Sequence, residues 1–295
     1  MSAPAQTRTG GFPIGLRLTG EFAKAPTAET AAWVKAQGFG AVDIYADALA
    51  TVPVWQKAGL EIGTMDLFGP EWQGMLSADA SKRKATVALG LKNIRAAAAA
   101  GVKKFFIVML AEDEKLPRKE TFGYMVETYG QFRDVLKETK TQLSIEGWPG
   151  CNAHCCNPES YRAFLKEMNS PQYGINYDPS HLIRMGIDPV RFIEEFASQV
   201  VHVHGKDTFI DAERLYDIGT EQAGVFAQGL PWGGYFWRYT IPGAGRAPWT
   251  KIFTILKNAK FNGCVSIELE DVNYNGTLDG ERKGFVASRD FLQSV

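Results

Sequence analysis

Four short stretches in the second half of the chain decide the fold, because each joins an apolar run to a polar residue at its end. They are Leu143-Ser-Ile-Glu146, Ile175-Asn-Tyr-Asp178, Val200-Val-His-Val-His204 and Val265-Ser-Ile-Glu268. Each run is short, rich in β-branched or aromatic residues and bounded by polar residues, glycine or proline, so each predicts a buried strand. A carboxylate or imidazole at the end of a buried strand is costly without a partner. If the strands lie side by side and parallel, one divalent metal ion satisfies all four ends.

Strand and helix patterns alternate along the rest of the chain. Thr27 is predicted to cap the first helix, which ends at Gly38, and an alanine-rich helix covers about 79–100. Further helices are predicted near 119–140, 158–169, 188–199, 248–260 and 281–294. The alternation predicts an α/β protein, a single-domain (β/α)8 TIM barrel over 1–295, with its active site at the carboxyl ends of the strands. The eight predicted strands are 13–18, 40–45, 60–66, 104–110, 142–147, 173–178, 200–205 and 264–269.

A long insert, residues 207–248, interrupts the alternation between the seventh strand and the next helix. A connection of this length is usually functional, so we expect it to form a rim or lid over the site. Trp232 and Trp237 are predicted to contact the substrate, and Arg214 and Arg238 to hold its polar end. Ordinary packing, surface charge and an oligomer interface are the alternatives. The aromatic residues of the insert are Phe209, Tyr216, Phe226, Trp232, Tyr235, Phe236, Trp237 and Tyr239.

Composition narrows the class of protein. The chain has 295 residues, of which 45% are hydrophobic, enough for one large core. The net charge of −1 makes nucleic acid an unexpected partner. The stretch 1–11 is polar and lacks the apolar region of a signal peptide, and no run of about 18 apolar residues predicts a membrane span. Three of the four cysteines lie within 151–156, which is a poor disulfide framework, so we expect a cytoplasmic protein. A homo-oligomer is compatible with the sequence.

The direction of the side chains supports one metal site. Side chains alternate along a strand, so His202, His204 and Lys206 face the barrel interior while Val201 and Val203 face the helices. The same parity turns the carboxylates of the other three stretches inward. Two Glu, one Asp and one His make a hard donor set that suits Mn²⁺, Mg²⁺ or Co²⁺, and Zn²⁺ is also compatible. The alternative is an ion-pair network without metal, in which Lys206 and His202 neutralise the carboxylates.

Five motifs resemble those of a known family. The resemblance is to the xylose isomerase-like TIM barrels and, within them, to the sugar phosphate isomerase/epimerase group. It implies that Glu146, Asp178, His204 and Glu268 bind the metal and that His181 lies beside the substrate. It also implies that Glu146 and Glu268 exchange a proton, one on each face of the substrate. The motifs are Ser144-Ile-Glu-Gly147, Asn176-Tyr-Asp-Pro-Ser-His181, His202-Val-His-Gly-Lys-Asp207, Ile241-Pro-Gly-Ala-Gly245 and Ile267-Glu-Leu-Glu-Asp271.

The predicted function is that of a divalent-metal-dependent isomerase or epimerase, which acts on a sugar or keto-sugar derivative through a metal-stabilised enediolate. A metal-dependent lyase or hydratase acting on 3-keto-glycosides shares the first deprotonation and is the main alternative. A non-catalytic sugar-binding barrel and an abasic-site endonuclease are less favoured, since the endonuclease needs a basic groove and more histidines than the four present.

Three further side chains have more than one interpretation. His202 and Lys206 are predicted to contact the substrate, and Lys206 either stabilises an oxyanion or only balances charge. His154 is a candidate acid or base on a loop over the site, or an ordinary polar loop residue. A second metal held by His154 and its neighbouring cysteines is disfavoured, because the adjacent Cys155 and Cys156 rarely point the same way.

Overall fold

A computed structural model describes residues 3–295, so the first two residues of the polar stretch 1–11 lie outside the described part. The described residues form two compact units. The central unit consists of Val42–Tyr177 and Gln199–His202. The terminal unit consists of the residues up to Ala41, Asp178–Ser198 and Val203–Val295.

Strands and helices alternate through both units. The strands are β1 (Ile14–Arg17), β2 (Ala41–Ile44), β3 (Glu61–Asp66), β4 (Lys104–Leu110), β5 (Gln142–Glu146), β6 (Ala153–His154), β7 (Tyr173–Tyr177), β8 (Val200–Gly205), β9 (Asp207–Ile210), β10 (Trp237–Thr240) and β11 (Val265–Ile267). The α-helices are α1 (Gly20–Lys24), α2 (Thr27–Ala36), α3 (Val52–Lys57), α4 (Ala80–Ala99), α5 (Arg118–Gly130), α6 (Arg133–Thr139), α7 (Pro158–Met168), α8 (Pro179–Arg184), α9 (Pro189–Phe196), α10 (Ala212–Ile218), α11 (Trp249–Asn258) and α12 (Leu278–Ser294).

The central unit is built on a sheet in which β2, β3, β4, β5 and β7 are hydrogen-bonded in that order. The pairs β3–β4, β4–β5 and β5–β7 are parallel, and short β6 runs antiparallel to β4. Helix α4 approaches α6 closely at Gly90, where a Cβ would lie 2.5 Å from the Phe132 ring, so a side chain there would displace the ring. Apolar residues such as Phe105 and Ile145 are fully buried and form the core of this unit.

The terminal unit contains a second set of parallel strands. Strand β11 pairs with β1 on one side and with β8 on the other, and Ser266 lies opposite His204 in the second pair. Helix α12 contacts both β1 and β11, and its buried Phe285 contributes to the core. Strands β9 and β10 form an antiparallel pair at the base of the insert.

The structure confirms all eight predicted strands, as β1–β5, β7, β8 and β11. Two details of the helices were wrong. Thr27 is the first residue of α2 instead of its cap, because Pro26 occupies the capping position and no side chain accepts a hydrogen bond there. The helix predicted over 119–140 is two helices, and α5 ends at Gly130. Within residues 3–295, no helix combines the length and the apolar character that crossing a membrane requires.

Candidate functional site

Three of the four predicted metal ligands lie in the terminal unit, and two of them are in direct contact. His204 is on β8, and Glu268 follows β11, the strand that pairs with β8. Parallel pairing brings the two side chains together, with 3.3 Å between His204 Nδ1 and Glu268 Oε2. Asp178, the third ligand, caps α8: its Oδ1 accepts a hydrogen bond from Ser180 N at 2.8 Å. Asp178 and His204 are buried, and the Glu268 side chain is only 10% exposed.

Lys206 connects the carboxylates of this cluster. Its Nζ lies 3.2 Å from Asp178 Oδ2 and 3.1 Å from Glu270 Oε2, and it also contacts Glu268 Oε2. Burial alone would lower the pKa of Lys206, but the surrounding carboxylates raise it well above its ordinary value. Burial likewise acts to raise the pKa of Glu268, but the charges of Lys206, His204 and Arg17 hold it well below its usual range. Both side chains are therefore charged at neutral pH.

Arg17 and His181 lie beside the carboxylates of this cluster. Arg17 Nε, at the end of β1, lies 3.3 Å from Glu268 Oε1. His181 Nε2 lies 3.4 Å from Asp178 Oδ2, and its Nδ1 lies 2.8 Å from the Tyr239 hydroxyl. The structure thus places His181, predicted to lie beside the substrate, next to a predicted metal ligand.

The donor set of the terminal unit fits a hard divalent cation. Two carboxylates and an imidazole supply the oxygen and nitrogen atoms that Mn²⁺, Mg²⁺ or Co²⁺ accept. Asp178 Oδ2 is buried and accepts no hydrogen bond of acceptable geometry from residues 3–295. Its contact with Lys206 Nζ, at 3.2 Å, is thus an ion pair without a hydrogen bond. A buried carboxylate oxygen without a hydrogen bond is a suitable ligand atom for a divalent cation.

Glu146, the fourth predicted ligand, lies in the central unit at the end of β5. Its side chain is buried, and its Oε2 accepts a hydrogen bond of 2.6 Å from Asn176 Nδ2 on β7. Parallel pairing of β5 with β7 sets Glu146 opposite Asn176, which explains the contact. The bond fixes the orientation of the carboxylate.

His202 binds an aspartate that the sequence reasoning missed. His202 Nε2 lies 2.9 Å from Asp43 Oδ2 on β2, and Thr64 N donates to Asp43 Oδ1 at 2.8 Å. Asp43 and His202 are fully buried. A Cβ at Gly63 would lie 2.3 Å from Asp43 Oδ1, so a glycine is required beside the pair. The pairing with Asp43 replaces the alternative in which His202 neutralises the carboxylates of the predicted metal ligands. A contact between His202 and the substrate stays a prediction.

The insert is ordered at its base and exposed at its tip. Tyr239 on β10 is buried, and its ring centroid lies 4.5 Å from Lys206 Nζ. The Trp237 ring lies 5.0 Å from that of Tyr239 and 4.5 Å from the Arg184 guanidinium. Tyr216 is 87% and Phe226 94% exposed, so not all aromatic residues of the insert pack on the protein. Tyr239, at the base of the insert, therefore contacts the group of side chains around Lys206, whereas the exposed residues at the tip do not.

The other predicted substrate contacts of the insert already have protein partners or are exposed. Arg238 Nη1 lies 3.2 Å from Asp271 Oδ1, and Arg214 Nη1 donates to the Gln228 carbonyl oxygen at 2.9 Å. Trp232 is 46% exposed, with a positive φ of 56°. Their roles in binding substrate stay predictions.

Asp207 ties the two ends of the insert together. Its carboxylate accepts hydrogen bonds from the backbone N of Thr208, Gly243 and Ala247 and from Trp249 Nε1, at 2.8–3.1 Å. A Cβ at Gly245 would lie 2.2 Å from Asp207 Oδ1, which explains a glycine in the Ile241–Gly245 motif. This motif is a turn that returns the insert to α11.

His154 is held in a buried position away from solvent. Its Nε2 lies 2.8 Å from Thr121 Oγ1, and Phe122 packs edge-on against its ring. Burial, with a smaller effect of the Arg118 charge, lowers the pKa of His154 to about 4. Within residues 3–295, no cluster of potential metal ligands includes a cysteine.

Known proteins resemble this chain along most of its length. The family model described as "Xylose isomerase-like TIM barrel" matches residues 31–295. An uncharacterised protein of Bacillus subtilis (strain 168), YfiH, is 28% identical over 207 residues, which are 61% of this chain and 64% of that protein. An inosose dehydratase of Bacillus cereus (strain AH820) is 31% identical over 107 residues, 36% of this chain and 34% of the dehydratase. The alignments thus span less than two thirds of both relatives.

A solved structure shows the same fold. D-psicose 3-epimerase, crystallised in the presence of D-fructose, superposes with a TM-score of 0.70 over 95% of this chain and 97% of that chain, at 14% sequence identity. Identity this low shows the fold alone, a (β/α)8 TIM barrel, and thereby confirms the predicted fold class. Together with the family model, which matches most of the sequence, it identifies the chain as a member of the xylose isomerase-like TIM barrel family.

Proposed function

We propose that the protein is a divalent-metal-dependent isomerase or epimerase of a sugar or keto-sugar derivative. The observation that carries this proposal is the buried group of Asp178, His204 and Glu268 around the Lys206 ammonium. Three side chains that could bind metal and one ammonium, gathered almost out of contact with solvent, are expensive for folding alone. Such a group is typical of sites that stabilise negative charge on a substrate.

Asp178, His204 and Glu268 would hold the cation, and Glu146 would be the fourth ligand. The assignment of Glu146 rests on the fold, because the carboxyl ends of barrel strands meet at one face and Glu146 ends β5. When bound, a divalent cation stabilises the negative charge that develops on substrate oxygens as a proton leaves the carbon beside a carbonyl. Because the donors are rich in oxygen, they favour Mn²⁺, Mg²⁺ or Co²⁺.

Glu268 would remove that proton. Its low pKa keeps it ionised and able to accept a proton, and the Lys206 ammonium beside it is shared with Asp178 and Glu270. A substrate oxygen that draws Lys206 away from Glu268 would raise the basicity of the carboxylate when substrate is present. Lys206 would then stabilise the oxyanion of the substrate as well as balance the charge of the surrounding carboxylates.

Glu146 would complete the exchange on the opposite face of the substrate. Its hydrogen bond from Asn176 fixes the carboxylate without neutralising it. Removal of a proton on one face and its return on the other inverts the carbon, which is epimerisation. Return to the neighbouring carbon would instead move the carbonyl, which is isomerisation.

A lyase or hydratase is the second candidate, and the similarity to inosose dehydratases favours it. Both reactions begin with deprotonation beside a carbonyl, and they differ only in whether a leaving group departs afterwards. The residues assigned above serve the first step of either reaction.

One experiment separates these functions. The purified protein is analysed for metals, loaded with Mn²⁺, Mg²⁺ or Co²⁺, and incubated with a panel of keto-sugars in D2O under NMR observation. Incorporation of deuterium with retention of every substituent supports isomerisation or epimerisation, whereas loss of water or an aglycone supports the lyase. The Glu268→Gln variant is the matched control. A protein that binds no divalent metal and exchanges no proton with any substrate would refute the proposal.

A further inference from the structure

An aromatic-lined cavity of about 220 Å³ lies in the central unit at the carboxyl ends of β3, β4 and β5. Its lining includes Asp66, Phe106 and Val108. In the parallel ladders Asp66 pairs with Phe106, and Val108 pairs with Glu146. Residues that pair across adjacent strands point to the same face of the sheet, so the cavity opens on the face that carries Glu146. We call this cavity the aromatic slot.

The walls of the slot are built from large rings. Phe68, Trp72, Phe106 and Trp148 all line it. Trp148 is 39% exposed, and its carbonyl oxygen accepts a hydrogen bond from Gly150 N at 2.9 Å. A Cβ at Gly150 would lie 2.0 Å from the indole ring. The glycine thus leaves space for the indole, whose partly exposed ring is accessible to a ligand.

A second cavity of about 480 Å³ shares Asp66 and Phe68 with the slot and extends toward the ends of β2 and β3. Asp47 and Glu71 also line it. Of the described residues that line the two cavities, none is a lysine or an arginine. Carboxylates accept hydrogen bonds from hydroxyl groups and repel anionic ligands. The charge of the two cavities therefore suits a neutral polyhydroxylated group and opposes a phosphate or a uronic acid.

We propose that the slot and the second cavity form one cleft that binds a non-reacting sugar ring of a neutral glycoside. This inference rests on the proposed function for the reacting ring, which must reach Glu146. Val108, which lines the slot, pairs with Glu146, and the two cavities extend past Trp148 and Trp72 to Asp47, so they have room for a part of the substrate beyond the reacting carbon. Aromatic faces bind the apolar faces of that ring, and the carboxylates bind its hydroxyl groups. The preferred substrate is therefore an unphosphorylated glycoside of two or more rings.

Calorimetry on the metal-loaded protein tests the inference with defined probes: cellobiose, maltose and sucrose, each compared with glucose and with glucose 6-phosphate. At least one disaccharide should bind about tenfold more tightly than glucose, since aromatic contacts add to the burial of the second ring. Glucose 6-phosphate should bind no more tightly than glucose at low salt. Trp72→Ala and Trp148→Ala should abolish the preference for the disaccharide, and Gly150→Ala should weaken it by displacing the indole.

The control is Phe226→Ala, which removes an exposed ring that lines neither cavity and should leave the preference unchanged. The inference is overturned if no disaccharide binds more tightly than glucose, if the tryptophan variants keep the preference, or if glucose 6-phosphate binds best. The Glu268→Gln variant separates this inference from the proposed function, because it should lose proton exchange and keep the disaccharide preference. Exchange without that preference would overturn the cleft alone, and preference without exchange would overturn the function alone.

Discussion

His154 should make the stability of the protein depend on pH, and the size of the effect follows from its surroundings. The side chain is only 2% exposed, and burial lowers its pKa from 6.5 to about 4. Because the folded-state pKa is the lower one, the unfolded chain binds the proton more readily. Acid therefore stabilises the unfolded state, and stability is lost as the pH falls from about 6.5 to about 4.

The linkage relation converts these pKa values into a free energy. Between pH 7 and pH 5 the unfolded histidine becomes almost fully protonated, whereas the folded one stays mostly neutral. The resulting loss of unfolding free energy from this one residue is about 2 kcal/mol. Since other groups also titrate in this range, the quantity to measure is the difference between wild type and a His154→Gln variant.

Urea denaturation followed by circular dichroism at pH 7 and pH 5 gives that difference. Wild type should lose about 2 kcal/mol more than His154→Gln on acidification, by the same linkage. Thr121→Val removes the hydroxyl partner but keeps the burial, so it should retain most of the pH dependence. Equal losses in wild type and His154→Gln would refute the argument. Proton exchange with substrate should survive in His154→Gln, and a loss of about 10² would instead make His154 a general acid or base.

The other predictions concern the candidate site. Glu146→Gln and Glu268→Gln should each lower turnover by at least about 10² with an unchanged circular dichroism spectrum, and near-normal turnover in either would show that the proton is handled elsewhere. Lys206→Met should raise the pKa of Glu268 and move the acidic limb of the rate profile to higher pH; an unmoved limb would remove Lys206 from this role. Shortening the insert within 219–234 should raise KM and lower kcat at constant metal content. Unchanged kinetics would indicate an oligomer interface instead, seen as a weaker dimer.

The fold was predictable because its main signals are local. Buried parallel strands such as β5 and β7 are short apolar runs between turn residues, and that pattern can be recognised without tertiary information. The break between α5 and α6 also had a signal, since Gly130 ends the first helix, but the helical periodicity on both sides outweighed it. The β9–β10 pair had no such signal. Its strands are separated by α10 and an irregular segment that contains aromatic residues, and only tertiary contacts select the pairing.

The candidate site was predictable where polar residues end apolar runs, as for Asp178, His204 and Glu268. The same signal marks Arg17 at the end of β1, and Asp43 interrupts the apolar run of β2. Neither residue was predicted to belong to the site. The pairing of His202 with Asp43 was beyond sequence reasoning. Parity predicts the face to which a side chain points but not its partner on that face.

The fastening of the insert at Asp207 has an evolutionary consequence. Together with the β9–β10 ladder and the bonds that Asp271 accepts from Thr240 and the Ile241 backbone, it closes the insert at its base. Residues 212–231 thus leave and return through a neck whose bonds are made by residues outside that range. Doubling a flexible loop costs only about 0.6 kcal/mol in closure entropy, so this segment can vary in length with little loss of stability, whatever the effect on turnover. Natural variants, or a library built on this barrel, could therefore replace this segment as a unit while the contacts of Lys206 stay unchanged.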